Sequence, residues 1–210
     1  MAADVAGRDY EWTDPPSCED KEAFTRCEGT FVAQDYRRED GITGTPIDSW
    51  ERPVSIWLPR DVPGPWPVVL FGHGAGETRT GGGYLARFIA PLGIAVLAVD
   101  AVGFGDHPTS DVNDEIANLT SMMAIDLDDG TLDARQLRLN FRQTAYDRLQ
   151  LARLAATVAD IDGDGTVDLD GDRIGYAGFS LGGIVSGELL SLGGFDIVLL
   201  SVCGARVTSL

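Results

Sequence analysis

Apolar residues in this 210-residue chain recur with two different periods, and the changes of period mark out its elements. From Gly29 to Tyr36, and again from Pro53 to Leu58 with Val54, Ile56 and Leu58, they alternate, which predicts half-exposed antiparallel edge strands. Val68–Phe71 and Ile94–Val99 are continuous apolar runs, the pattern of strands buried on both faces. Between them Leu85, Phe88, Ile89 and Leu92 recur at helical spacing from Tyr84 to Leu92, and Gly93 stops the run. Leu132 to Val158 predicts a long amphipathic helix, with Leu137, Phe141, Leu149, Leu151, Leu154 and Val158 among its apolar positions. A strand at Arg173–Ala177, a helix from Leu181 to about Leu192 and a strand at Phe195–Val202 complete the series. Residues 1–28 are polar and irregular, with a short helix expected across Glu19–Arg26, and residues 107–130 look like a polar insertion over one end of the sheet. Strands alternating with helices make βαβ units, so the expected fold class is α/β: a three-layer sandwich whose sheet is mostly parallel with an antiparallel N-terminal edge. The expected division is an N-terminal extension over 1–28 and one domain over 29–210.

Charge removes several classes of partner. With 33 Asp+Glu against 16 Lys+Arg the net charge is −17, which repels phosphate backbones and anionic membrane surfaces, so nucleic acid is excluded. No run approaches the ~18 apolar residues of a membrane helix. The N-terminus lacks the basic-then-apolar pattern of a signal peptide. Cys18 and Cys27 lie close together in the polar N-terminal segment; a disulfide between them stays open, because it depends on export. Cys203, ending an apolar run, is expected as a small buried hydrophobe.

The chemistry concentrates at Gly178-Phe179-Ser180-Leu181-Gly182, a G-x-S-x-G sequence between a predicted strand and a predicted helix. A serine at such a corner adopts a strained backbone, so its flanks need residues without bulk, and the helix N-terminus behind it favours negative charge. Upstream, Gly72-His73-Gly74-Ala75 ends the first buried strand, and Asp100 to Gly105 ends the second. In Phe71-Gly72-His73-Gly74, in the Asp100–Gly105 turn and in the Ser180 corner the chain resembles the α/β-hydrolase superfamily, specifically the lipase/esterase-like serine hydrolases, from about Gly29 to Val202. The resemblance implies hydrolysis of a small-molecule or lipid ester without an organic cofactor. It gives Ser180 as nucleophile, the backbone N–H groups of Ala75 and Leu181 as oxyanion donors, and His73 as a structural residue holding the oxyanion loop.

The same resemblance places an acid and then a histidine base after the serine. Beyond Ser180 the chain offers Glu188, inside the helix, and Asp196, at the wrong end of its strand, with no histidine. The expected sandwich is therefore C-terminally incomplete, and acid and base come from a missing C-terminal segment or a partner chain. The alternative is a non-catalytic, calcium-binding module or pseudoenzyme. His107, with Asp106 or Asp111 beside it, is the one internal candidate for the base; a polar loop histidine is the blander reading.

A second constellation lies at 160–172. Asp160, Asp162 and Asp164 occupy the first, third and fifth positions of an EF-hand-type loop, Gly165 the sixth, Thr166 the carbonyl-donating seventh and Asp168 the ninth. The twelfth position holds Gly171 where a bidentate glutamate is expected, leaving Asp170 or Asp172 to substitute. Crowded carboxylates repel without a cation, so a structural Ca2+ is expected here. With Cys18 and Cys27 it suggests an exported parent protein.

Overall fold

A computed structural model describes residues 2–37, 45–111 and 114–204. After a short helix α1 (Ala2–Ala6) come β1 (Trp12–Asp20), β2 (Thr25–Asp35), β3 (Asp48–Leu58) and β4 (Trp66–Gly72), then α2 (Gly82–Ile89) and β5 (Ala95–Ala98). The second half holds α3 (Glu115–Met123), the two-residue strands β6 (Ile125–Asp126) and β7 (Thr131–Leu132), α4 (Ala134–Thr157), β8 (Leu169–Phe179), α5 (Leu181–Ser191) and β9 (Ile197–Ser201). Seven strands form one sheet in the order β1-β2-β3-β5-β4-β8-β9. β1, β2, β3 and β5 pair antiparallel, whereas β5, β4, β8 and β9 run parallel.

Helices cover both faces, so the sandwich has three layers. On one face Val96 and Ala98 of β5 pack with Trp57, Phe24 and the α2 residues Ala86 and Ala90. On the other, Ala95 and Leu97 join Ile56, Leu70 and Tyr176 against Leu151 and Leu154 of α4 and Val185 and Leu189 of α5. Burying a side chain such as Leu70 or Leu97, both fully enclosed, stabilises by ~1.5–3 kcal/mol. Asp133 caps α4, its carboxylate accepting from the N–H groups of Arg135 and Gln136. Gly93, at φ 82°, takes the left-handed turn that ends the helical segment after α2.

Several expectations change. No helix forms across Glu19–Arg26; β1 and β2 make a hairpin there, and residues 12–28 belong to the sheet rather than to an irregular extension. Cys18 and Cys27 face each other across that hairpin and are disulfide-bonded. The expected antiparallel N-terminal edge is present as β1-β2-β3, but β1 is the outermost strand, so Val54–Leu58 of β3 is fully buried instead of half-exposed. The 107–130 insertion is not irregular: α3 sits in it, capped by Asp114, and the β6–β7 hairpin follows. Cys203 is exposed rather than buried. Its strand explains why, because Ile197, Val198, Leu199, Leu200 and Val202 of the last sheet edge are all exposed and no described element covers them.

Candidate active site

β8 delivers Ser180 to the corner where it meets α5. Ser180 holds φ 50°, ψ −111°, a conformation an L-residue adopts only under constraint, at a cost of ~1–3 kcal/mol. The constraint is visible in its neighbours. A Cβ on Gly182 would lie 2.1 Å from the Gly72 carbonyl oxygen, and one on Gly178 would lie 2.8 Å from that of Gly182. The glycines allow β4 to approach the turn closely enough for the Gly182 N–H to donate to the His73 carbonyl at 3.0 Å. On the other side the Ser180 N–H donates to the Ser201 carbonyl at 2.9 Å, tying the corner to β9.

The loop after β4 lies beside the serine: a Cβ on Gly74 would come within 3.5 Å of the Ser180 Cβ. Among the described residues the N–H groups of Ala75 and Leu181 meet no protein acceptor, which leaves both available to a ligand. His73 holds this loop. Its ring is fully buried, with Nδ1 2.8 Å from the Gly74 carbonyl and Nε2 accepting the Ala101 N–H at 2.9 Å. That pattern requires the neutral ring protonated at Nδ1, and burial pushes its pKa down to about 4. Both nitrogens are used, so His73 has none to offer Ser180.

His107 is also engaged elsewhere. Its Nδ1 accepts from the Thr109 N–H at 3.1 Å, its ring stacks edge-on against Trp50, and Nε2 lies 3.5 Å from the Asp147 carboxylate. Burial and the nearby Arg52 charge lower its pKa to about 4. The carboxylate beside it is thus Asp147 of α4, whereas Asp106 binds Arg79 at 2.7 Å. Glu188 pairs with Arg142 at 3.0 Å, and Asp196 accepts the Ile174 N–H at the opposite end of β8. No histidine–carboxylate pair stands at Ser180 among the described residues.

The residue pattern did not reveal what braces the site. Asp100, at the end of β5, accepts the Arg79 backbone N–H and side chain, both at 2.6 Å, and the Asp106 N–H at 3.0 Å. Arg52 donates to the Asp100 carbonyl and pairs with Asp147 at 2.6 Å, with burial countered by that cation, which holds Asp147 below the usual carboxylate range. The only sequence signal was Asp100 ending an apolar run. Two cavities flank the loop segment Gly76–Thr78: a groove of about 910 Å³ bordered by Phe24, Trp57, Tyr84 and Arg87, and a pocket of about 200 Å³ bordered by Phe104, Asp106 and Glu115.

The acidic loop joins α4 to β8 as expected. Carboxylate oxygens of Asp160, Asp162 and Asp168 come within 4.8 Å of one another, a spacing three oxygen ligands of one Ca2+ could share. Burial, with Asp162 and Asp160 adding repulsion, raises the Asp168 pKa. Asp164 stands outside that trio, its carboxylate accepting the Thr166 N–H at 2.7 Å. Asp170 is held by Arg173 at 2.5 Å. Gly171 cannot be replaced by a ligating glutamate, since a Cβ there would lie 2.5 Å from the Ala156 Cα.

Comparison with solved structures identifies the architecture. A cold-adapted esterase from an Arctic intertidal metagenomic library superposes with a TM-score of 0.56 at 19% identity, over 92% of this chain and 66% of that one. The fold is that of the α/β-hydrolases. A dienelactone hydrolase-like promiscuous phosphotriesterase from metagenomic libraries (TM-score 0.52, 20% identity, 87% of this chain and 60% of that one) and a peroxisomal α/β-hydrolase of Saccharomyces cerevisiae (0.51, 19%, 89% and 47%) share it. This chain thus spans between about half and two thirds of the length of these α/β-hydrolase-fold structures. No protein-family model matches the sequence, and no curated protein does. No helix among the described residues is long and apolar enough to cross a membrane.

Proposed function

We propose that the chain carries the nucleophile and oxyanion half of a serine hydrolase acting on carboxylic esters of small molecules or lipids. The observation that carries this reading is the strained Ser180 corner held against Gly74, with two unengaged backbone N–H groups beside it. Ser180 Oγ attacks the ester carbonyl, and the Ala75 and Leu181 N–H groups receive the developing oxyanion, a pair of which each member is worth about 10²–10³ in rate. Both ring nitrogens of His73 are bonded, and His107 is buried between Trp50 and Asp147, so in this reading base and acid come from polypeptide outside it, a further segment or a partner chain. The esterases among the similar folds support ester chemistry. In the same reading Asp160, Asp162 and Asp168 hold a structural Ca2+ that stiffens the start of β8.

The commitment of both histidines also motivates a second reading, a non-catalytic calcium-binding module that retains the hydrolase fold. Hydrolysis of a short-chain chromogenic ester by wild type and Ser180→Ala, in calcium, separates the two. Turnover abolished by the substitution supports the hydrolase; turnover unchanged by it refutes Ser180 as nucleophile. No turnover by the folded wild type moves the comparison to the longest reading frame containing this chain.

A further inference from the structure

Near the Ser180 corner, buried Arg52 and partly buried Arg79 have carboxylate partners, whereas buried Arg148 has none. Arg52 meets Asp147 and Arg79 meets Asp100, each at 2.6 Å. Arg148, next to Asp147 on α4, is 1% exposed, yet none of its three guanidinium nitrogens makes a hydrogen bond to a described residue. Its Cζ lies 5.7 Å from the centre of the Tyr176 ring, and its charge also acts on the Tyr176 hydroxyl, so the neighbour that meets it is a neutral side chain rather than a carboxylate. Guanidinium keeps its charge on burial, and an unpaired charge in the interior is destabilising, so an apolar side chain would fill this space at lower free energy. The position asks for a reason other than stability.

Its surroundings supply one. A Cβ on Gly72 would lie 3.1 Å from the Arg148 Cζ, so the guanidinium packs against the strand end that leads into His73, Gly74 and Ala75. The Tyr176 hydroxyl beside it donates to the Gly182 carbonyl at 2.7 Å, one residue beyond Leu181. Gly72 and Gly182 are themselves in contact. Arg148 therefore sits behind the junction of the two segments that carry the unengaged Ala75 and Leu181 N–H groups.

We propose that Arg148 is a positioning residue for the Ser180 reaction, an uncompensated buried cation that holds this junction at positive potential and favours negative charge at the Ser180 corner. The inference rests on Ser180 being the nucleophile. When Ser180 Oγ bonds to the ester carbon, its proton passes to a base and the carbonyl π pair becomes the oxyanion lone pair. Arg148 makes no bond in that step; it acts through space, where the low dielectric keeps its field strong. The same charge opposes protonation of His73, already held near 4 by burial, so Nε2 stays free to accept the Ala101 N–H and the loop keeps its shape. The other ionisable groups around this spot leave the charge standing. His73 is neutral, burial raises the Tyr176 hydroxyl, and Asp100 is bound by Arg79, which it shares with Asp106 and Glu28. Glu77, whose carboxylate accepts the Gly74 N–H at 3.3 Å on the exposed side of the loop, and Asp100 are the anions that act on His73, and both work against the Arg148 field.

A thiol at position 180 reports this potential without needing the missing base. In a C203S background, where the remaining two cysteines are locked in their disulfide, the pH dependence of iodoacetamide alkylation gives the thiol pKa of S180C. The comparison adds R148M, R148Q and R148K. The expected result is a thiol pKa raised by about one unit, a tenfold weaker preference for the thiolate, in R148M and R148Q, with R148K recovering most of the difference. R148M is also expected to unfold at a higher temperature than wild type, a gain a merely structural arginine would not give. Equal thiol pKa values with Arg, Met and Gln at 148 would overturn the proposal, as would R148K behaving like R148M. If R148M fails to fold, R148Q against R148K carries the same comparison. Loss of this inference is distinguishable from loss of the Ser180 reading, because only the latter predicts that Ser180→Ala leaves ester hydrolysis unchanged.

Discussion

Acidification should destabilise this protein over a window set by two histidines that the fold keeps neutral. His73 and His107 are 0% and 2% exposed, and burial holds both near pKa 4 against 6.5 for an unperturbed ring. The sign follows from which state binds the proton. Below pH 6.5 the unfolded chain protonates both rings while the folded chain does not, so stability is full above 6.5 and falls until the folded rings titrate near 4. At pH 4.5 each ring is protonated about a hundredfold in the unfolded state and only slightly in the folded one. That difference is worth about 2–3 kcal/mol per histidine and about twice that together, against a total stability of typically ~5–15 kcal/mol.

Urea unfolding followed by tryptophan fluorescence at pH 7, 5.5 and 4.5 measures this loss, and His107→Gln and His73→Gln should each remove about half of the slope. Other groups act elsewhere on the scale. Asp147 and Asp4, held below the usual carboxylate range, lose their contribution only below about pH 4. The net charge of −17 works in the opposite direction, since acid relieves self-repulsion. Stability that stays within about 1 kcal/mol between pH 7 and 4.5, or a slope unchanged in both variants, would refute the reasoning.

Two further outcomes are expected. Calcium at tenfold excess over its dissociation constant should stabilise by ~1.4 kcal/mol; Asp160→Asn should abolish the rise in unfolding temperature, and a wild type indifferent to millimolar calcium would remove the ion from the account. The exposed apolar edge of β9 should drive self-association, which Val198→Lys with Leu200→Lys should suppress in light scattering; a monodisperse wild-type monomer at high concentration would show the edge is harmless.

The parts of the fold that were legible are those where one local requirement dominates. Gly178 and Gly182 announce the corner because close backbone approach admits nothing larger, and the runs Val68–Phe71 and Ile94–Val99 announce strands because both faces are covered. The N-terminal hairpin was illegible because its outer strand is mostly polar: apart from partly buried Trp12 and Pro16, β1 is exposed, and its place is set by backbone pairing and Cys18–Cys27 rather than by apolar period. The long helix misled differently. Its apolar spacing suggested a greasy face through Leu137, Phe141 and Leu149, yet those are only partly buried, while Asn140, Gln143, Asp147, Arg148 and Gln150 are buried. Polar residues can line a core when each finds a partner, and hydropathy alone does not report partners.

That polar face explains how the antiparallel edge and the elbow come to share one scaffold. Gln150 accepts the Gln34 N–H and Gln143 accepts the Tyr36 N–H, so α4 closes the end of β2 with side chains where another strand would have used its backbone. One turn along, Gln143 donates to Asp147, Asp147 receives Arg52 of β3, and Arg52 reaches the carbonyl of Asp100 at the end of β5. Asp100 in turn holds Arg79 at the start of the segment leading into α2. The chain of bonds runs from the outer strands to the loop beside Ser180, and almost every polar group in it is matched. Arg148 lies immediately alongside and meets no carboxylate, only the Tyr176 side chain. Where Arg52 on this face meets the Asp147 carboxylate, Arg148 meets only the Tyr176 side chain, so its place behind the Ser180 corner is better accounted for by the charge it projects there than by any contribution to holding the helix in place.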